Sequence, residues 1–276
     1  MDFNDFHKWV HKEMGINLTA YKPEQLDRRI TSLMGRIGVS SLDDYTVLLK
    51  TNAEQKQRFL DFITINVTEF FRNPELFKEL EKLIKNELLV NKSSLKIWSA
   101  ACSIGCEPYS LAIILKGLKL SERHTIIATD IDNTILQKAK LGQYNEAEVK
   151  NVSNDNLVKY FRKENNTYYI NDEIKSMITF KKHDLILDTY DKDFDLIVCR
   201  NVVIYFNNEV KREIYGKFSN ALKPGGLLFV GATESIYNYK DYGFEKVSTF
   251  VYRKVWGGKK YGYITIYDHV PWGING

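Results

Sequence analysis

The stretch Ile97-Trp-Ser-Ala-Ala-Cys-Ser-Ile-Gly-Cys-Glu-Pro-Tyr-Ser110 decides the reading of this chain. An apolar run of β-forming residues gives way to small ones. Gly105 follows, then an acid at Glu107, then Pro108, a residue suited to a helix start because its missing N–H would be unpaired there anyway. A strand, a tight loop and a helix start, in that order, form the crevice where an α/β sheet holds a nucleotide-like ligand. The Gly-x-Gly-x-x-Gly spacing of a dinucleotide pocket is absent. A pyrophosphate needs several free amides and close backbone approach. One glycine beside a carboxylate suits a ligand with no phosphate and a cationic part. Set against this is the plain alternative of an ordinary strand–helix turn.

Working outward, two regimes appear. Upstream, apolar residues recur at helical spacing: Phe3, Phe6, Val10 and Met14, then Leu26, Ile30, Leu33 and Ile37. Ser41-Leu-Asp-Asp44 resembles a capping box that opens a third helix. Phe59, Phe62 and Ile63 mark a fourth helix, and Pro74 opens a fifth that runs through Leu83. From residue 94 onward, short β-branched runs alternate with helical stretches. The runs are Leu95–Ala101, Thr125–Thr129, Ile178–Lys182, Phe194–Cys199 and Leu227–Gly231, and the helices are expected at 108–119, 133–141 and 208–222. Such alternation predicts a parallel sheet covered on both faces. Phe244–Ser248 and Phe250–Val255 are too close together to be anything but antiparallel. A parallel sheet that finishes in an antiparallel hairpin is the layout of class I S-adenosylmethionine methyltransferases.

The expected organisation is therefore α/β. A helical domain over 1–73 precedes a Rossmann-like methyltransferase domain over 74–255. Residues 142–176, polar and rich in Asn, interrupt the rhythm and read as a small inserted subdomain with a helical patch at Asn156–Arg162 and a hairpin at Tyr168–Ile170. Residues 256–276 hold five aromatics and five glycines with no helical period. They read as a tail, non-native or poorly ordered as readily as functional.

Three further segments carry candidate chemistry. Ile126-Ile-Ala-Thr-Asp130 ends a strand in an acid about 25 residues past the loop, the position from which a carboxylate accepts both ribose hydroxyls. Strand-end aspartates also cap helices, and Asp132 stands ready for that task. Asp195-Leu-Ile-Val-Cys-Arg-Asn-Val-Val-Ile-Tyr-Phe206 is a buried strand that ends in Arg200 and Asn201, with Tyr205 just beyond. The Asp/Asn-Pro-Pro-Tyr of adenine-type N-methyltransferases is missing there, which argues against a base-amine acceptor. Asn66-Val-Thr-Glu-Phe-Phe-Arg72 sets Asn66, Thr68 and Arg72 around an aromatic pair expected in the core. Arg is the natural bidentate partner of a carboxylate.

With those residues in view, the chain resembles the chemotaxis receptor glutamate methyltransferases, the CheR family. The resemblance rests on Asn66–Arg72, Ser99–Ser110, Ala128–Asp132, Cys199–Phe206 and the turn Gly231-Ala-Thr-Glu-Ser235, and it covers about residues 1–255 in the family's order. It implies methyl transfer from S-adenosylmethionine, leaving S-adenosylhomocysteine, to glutamate side chains on the cytoplasmic helical bundle of chemoreceptors. It further implies that Asn66, Thr68, Arg72, Ala101 and Glu107 surround the methionine end of the cofactor, that Asp130 holds the ribose, that Asp184 and Leu185 flank the adenine, and that Arg200 and Asn201 form the pocket floor. Arg72 and Tyr205 are implied to position the acceptor. The family usually has two acids after the glycine, and here the first position is Cys106.

Composition bounds the rest. Hydrophobic content of 44% is enough for a core, and a net charge of +4 is too small to argue for nucleic acid. No apolar run approaches the roughly 18 residues of a membrane helix. Three cysteines make no disulfide framework, so a reduced, cytoplasmic protein is expected; a monomer is the default. His7 and His11 have metal-like spacing without a third ligand nearby. Lys22, Arg29 and Arg36 lie seven apart on one helix flank, either as a solvated row or as a docking face for an acidic receptor bundle. The alternatives to the receptor methyltransferase are a class I methyltransferase of small molecules or RNA, and a non-catalytic adaptor that senses S-adenosylmethionine.

Overall fold

The computed structural model describes residues 1–64, 67–90, 92–118 and 124–255; Asn66 and the 256–276 tail lie outside them. The N-terminal part is helical as the periodicity predicts. Helix α1 (Phe3–Met14) starts at Asp2, whose carboxylate accepts the Asp5 N–H, and stops at Gly15 (φ 71°). Helices α2 (Pro23–Arg36), α3 (Leu42–Thr51) and α4 (Ala53–Thr64) follow, with Ser41 capping α3. Their apolar stripes meet in one core of Phe6, Val10, Leu26, Ile30, Tyr45, Phe59 and Ile63. Phe6 is stacked on Tyr45 and edge-on to Phe59, both with ring centroids 6.0 Å away. Each such side chain contributes about 1.5–3 kcal/mol through burial. A short 3-10 turn, Leu18–Ala20, was not legible in the sequence; it aims Tyr21 at the other half of the molecule.

Helix α5 (Pro74–Leu83) belongs to a different core. Its Phe77 and Leu80 pack with residues of the sheet, as does Phe70 just before it. The sheet opens with β1 (Lys96–Ala100), α6 (Cys106–Gly117), β2 (Thr125–Asp130) and α7 (Asn133–Leu141). An excursion follows: β3 (Gln143–Tyr144), α8 (Glu146–Val149), α9 (Asn154–Tyr160), β4 (Phe161–Glu164), β5 (Thr167–Ile170) and α10 (Asp172–Lys175). The chain then resumes with β6 (Ile178–Lys182), β7 (Phe194–Cys199), α11 (Asn208–Ala221), β8 (Leu222–Val230), β9 (Phe244–Lys246) and β10 (Val251–Lys254).

The strand order is β6-β2-β1-β7-β8-β10-β9, with the first five parallel and β10 antiparallel to both its neighbours. Neighbouring residues in each central strand serve opposite faces. Ile97, Ile126, Leu196 and Leu227 join the core with α5 and α6, while Trp98, Ile127, Ile197 and Leu228 join the core with α11. Burial on both faces is why these strands read as continuous apolar runs. The order in which the chain adds strands reverses between the parallel neighbours β1 and β7, and that switch point is where such sheets bind ligands.

Several boundaries differ from the sequence reading. Helix α6 starts at Cys106, two residues before Pro108, because Gly105 at φ 90° takes the left-handed turn that ends the loop; Pro108 still falls in the first turn. A Cβ at Gly105 would press on Tyr109 and Ala139. Strand β8 reaches back to Leu222, with a register shift opposite Phe194 and Leu196 absorbing Pro224 and the two glycines beside it. In the excursion the helix is Asn154–Tyr160, set by its Ser153 cap, and the hairpin is the longer β4–β5 pair in a three-stranded sheet ordered β3-β5-β4.

Candidate functional site

At the carboxyl ends of β1 and β7 lies an open cleft of about 980 Å³, the solvent in its mouth included. The 67–72 segment and Tyr21, Ile63 and Thr64 of the helical domain complete its walls. Of the site residues expected from sequence, Thr68, Arg72, Ala101, Glu107, Asp130, Asp184, Leu185, Arg200, Asn201 and Tyr205 all line it. Phe71, Asn73, Ala101, Ser103 and Asn201 have positive φ values between 49° and 62°. Left-handed backbone at non-glycine residues is strained, and here it clusters around one cleft.

Glu107 occupies the first turn of α6, with its carboxylate accepting the Ser99 hydroxyl at 2.7 Å. Burial pushes its pKa up to about 7, against the pull of the Arg200 charge, the Ser99 hydrogen bond and the Arg72 charge. Asp130 ends β2. Its two oxygens each accept one backbone N–H, from Ser103 at 2.9 Å and from Asp132 at 3.1 Å. Each oxygen keeps a lone pair for a further donor. Capping of α7 falls to Asp132, which accepts from Thr134 and Ile135, so Asp130 is free of that task.

Past β6 the chain makes a tight turn. Asp184 accepts the Ile186 N–H at 2.7 Å and the Leu187 N–H at 3.2 Å, both on the same oxygen. The Tyr190 hydroxyl donates to the Leu185 carbonyl, and Lys217 from α11 donates to that of Ile186. This turn is held from three directions before any ligand arrives.

The 67–72 segment is clamped in a similar way. Arg72 donates back to the Val67 carbonyl at 3.0 Å, and Phe71 N–H donates to the Ser110 hydroxyl. The excursion supplies the other side: Phe70 N–H donates to the Glu148 carbonyl, while Lys150 and Asn151 both hold Glu69. Phe70 is fully buried as expected, whereas Phe71 is only partly covered.

Arg200 is 7% exposed, and its guanidinium lies 5.1 Å from the Phe77 ring centroid and 4.9 Å from that of Phe229. Its Nη2 donates to the Arg72 carbonyl and to Asn73. Its Nε and the Ser103 hydroxyl are buried without a protein partner, although both residues line the cleft. Tyr205 closes a 3-10 turn, Val203–Tyr205. Its carbonyl accepts the Lys22 N–H, and Tyr21 sits edge-on to Phe206 at 5.1 Å, which ties the helical domain to this wall.

Sequence reasoning missed Tyr21, Ser103, Ile131 and Phe206 in the lining. Tyr21 and Phe206 read as lone aromatics, and only the fold joins them. The docking row needs correcting at Arg29. Lys22 and Arg36 are exposed, but Arg29 is only partly so; it donates to the Phe62 carbonyl and lies 4.6 Å over the Phe62 ring. It fastens α2 to α4 and is not a free surface cation. Cys106, where a family acid is expected, is fully buried outside the cleft lining, and burial pushes its thiol pKa up.

Two carboxylates with spare acceptor capacity, beside arginine and hydroxyl donors without partners, make up a seat for a zwitterionic, cationic adenosine ligand. On this sheet order, that is the site of a class I S-adenosylmethionine-dependent methyltransferase. Comparison with known proteins narrows the class. The CheR methyltransferase SAM binding domain matches residues 66–252, and the CheR methyltransferase all-alpha domain matches residues 1–64. A chemotaxis protein methyltransferase of Listeria innocua is 39% identical over 254 residues, covering 92% of this chain and 97% of the relative. One of Pseudomonas aeruginosa is 34% identical (87% and 92% covered), and one of Escherichia coli is 31% identical (84% of each). The chain belongs to the CheR methyltransferase family. Among the described residues, no helix is long and apolar enough to cross a membrane.

Proposed function

We propose that this enzyme transfers the methyl group of S-adenosylmethionine to glutamate side chains of chemoreceptors, giving glutamyl methyl esters. The observation that carries the reading is that Arg72 and Tyr205 both line the cleft that also contains Glu107 and Asp130. A guanidinium and a phenol are donors suited to a carboxylate acceptor.

S-adenosylmethionine supplies an electrophilic methyl group on a sulfonium. Glu107 is placed to meet the cationic methionine end, with Thr68, Arg72, Ala101 and the unpartnered Arg200 Nε around it. Asp130 has one acceptor site per oxygen for the ribose hydroxyls, and Asp184 and Leu185 flank the adenine. Asn201 completes the floor. The acceptor needs no general base, because a glutamate carboxyl with a reference pKa near 4.3 is ionised at pH 7. Its oxygen bonds to the methyl carbon as the carbon–sulfur bond breaks, and the carboxylate and sulfonium charges cancel. The enzyme's part is alignment and exclusion of water. Arg72 and Tyr205 orient the acceptor, and the exposed Lys22 and Arg36 of α2 offer a docking edge to an acidic helical bundle in the cytoplasm, with the enzyme acting as a monomer.

The deciding experiment incubates the protein with methyl-labelled S-adenosylmethionine and receptor cytoplasmic fragments. Label on the receptor that leaves as methanol in alkali is expected. Alkali-stable label, or label on RNA or small amines instead, would overturn the proposal. Binding of S-adenosylmethionine with no transfer to any acceptor would favour a sensing adaptor.

A further inference from the structure

One buried acid outside the cleft lining accepts the backbone N–H groups that lead into Tyr205. Glu234 follows β8 in the turn Gly231–Glu234 and is 4% exposed. It is not part of the cleft lining. Its carboxylate collects five backbone N–H groups. One oxygen accepts from Asn201 at 2.6 Å and from Gly231 at 2.8 Å. The other accepts from Val202 and Val203, each at 2.9 Å, and from Ile204 at 3.3 Å. Four consecutive N–H groups of the loop after β7 therefore converge on one side chain. Successive backbone amides around an anion form a nest, and here the anion is supplied by the chain itself.

This loop could not hold its shape by local preference. Asn201 is in left-handed backbone at φ 61°, and the short 3-10 turn that ends in Tyr205 follows at once. Asn201, Val202, Tyr205 and Phe206 all face the cleft, while the N–H groups between them point the other way, at Glu234. Gly231 is part of the device, since a Cβ there would collide with the Glu234 carboxylate and the Asn201 N–H.

We propose that Glu234 is a positioning residue of the methyl-transfer site, gathering the 201–204 amides so that Asn201 and Tyr205 stand in the cleft in their working geometry. The proposal rests on the methyltransferase reading above for its catalytic consequence, but the loop geometry is testable without any substrate.

Glu234→Gln keeps the shape of the side chain and replaces one oxygen with a group that cannot accept N–H donors. In hydrogen exchange on the otherwise intact protein, the 201–204 amides are expected to exchange about 100-fold faster, while the β1 and β7 amides keep their protection. Methyl transfer is expected to lose about 30-fold or more in kcat, while the Kd for S-adenosylhomocysteine rises by a smaller factor, about threefold to tenfold, through the displaced Asn201. In the Tyr205→Phe background the same substitution is expected to do much less, because two residues acting through one group are non-additive. Additive effects on kcat, or unchanged exchange at 201–204, would overturn the proposal. So would loss of protection throughout the sheet, the mark of a general brace. Should Glu234→Gln fail to fold, Gly231→Ala displaces the carboxylate without changing its charge and is read in the same way. If the wild-type protein makes no methyl ester, the functional reading fails, and the exchange result still decides whether Glu234 holds the loop.

Discussion

The guanidinium of Arg200, at the end of β7, donates to the backbone carbonyl of Arg72 at 2.7 Å, joining positions 128 residues apart. One arginine thus fixes the main chain that carries the other. The same Nη2 reaches Asn73, whose positive φ it helps hold, while the Nε is left for a ligand. Lysine keeps the charge, but its one nitrogen on a flexible stem cannot hold both acceptors and also present a second donor in the place of Nε. Arg200→Lys is therefore expected to weaken S-adenosylhomocysteine binding about tenfold or more in calorimetry, comparable to losing one or two charge-assisted hydrogen bonds. Unchanged affinity would show that Arg72 is held without it.

Glu107 sets a pH dependence. With burial raising its pKa to about 7, its carboxyl is half protonated near neutrality in the ligand-free protein. A ligand cation favours the ionised form, so affinity is expected to rise about tenfold from pH 6 to pH 8, following the ionised fraction. The sign is opposite for folding. A raised acid pKa means the folded state binds more protons than the unfolded one between the ordinary carboxyl value and about 7, so this group makes the ligand-free protein less stable as pH rises through that window. S-adenosylhomocysteine titrations at several pH values check the first trend, and Glu107→Gln should flatten it. A flat wild-type profile would remove Glu107 from the cationic end of the site.

A Tyr205 variant is expected to separate methyl transfer from cofactor binding. Its ring lines the cleft, and its turn is fixed by main-chain bonds that the hydroxyl does not make. Tyr205→Phe is expected to lower kcat for receptor methylation about 10- to 100-fold, in the range of a lost orienting hydrogen bond, with little change in S-adenosylhomocysteine affinity. Equal loss in both measurements would make Tyr205 a cofactor contact.

The fold was legible because its strands are buried on both faces and its helices on one, so Ile97/Trp98 and Phe6/Val10 announce two different periodicities. Helix starts were less so. Cys106 opens α6 because Gly105 takes φ 90°, a conformation that no pattern of apolar residues reports. That Asp130 and Arg200 line the cleft could be foreseen because the carboxyl end of a parallel strand is a predictable place. Tyr21 could not, since its position depends on how the helical domain docks through Lys22 and Phe206. Arg29 was misread for the same reason: helical spacing places a side chain on a flank but does not say that the Phe62 carbonyl waits there. Glu234 shows the limit most clearly, because its five donors come almost entirely from a loop some thirty residues upstream.

The opposite end of the sheet carries a stability lock. Asp195 is 1% exposed at its side chain, with Lys92 at 2.6 Å, Lys223 at 3.0 Å and the Lys96 N–H at 2.8 Å. Burial alone would raise its pKa, but these partners outweigh it and hold the carboxyl below its ordinary value. A depressed acid pKa stabilises the fold above the unfolded value and loses that contribution as pH falls through the folded one. Asp195→Asn is expected to cost about 1–3 kcal/mol at pH 7, since both lysines can still turn to solvent. In urea unfolding, the gap to wild type should close progressively below about pH 4. A gap independent of pH would mean that packing, not charge, makes this residue matter.

The two basic residues that part company on α2 give a salt test. Arg36 is exposed, whereas Arg29 is engaged with Phe62. If α2 docks on an acidic receptor bundle, Arg36→Glu should lower receptor methylation several-fold at 20 mM salt and much less at 300 mM, because exposed charges are screened over about 10 Å at 0.1 M. Arg29→Glu should behave differently. It removes a contact between α2 and α4, so a lower thermal midpoint should accompany its loss of activity, and salt should not restore that part. Steady-state methylation at the two salt concentrations, paired with thermal unfolding of each variant, separates the two effects. If Arg36→Glu is insensitive to salt, the receptor must approach the Tyr205 wall from another side of the cleft.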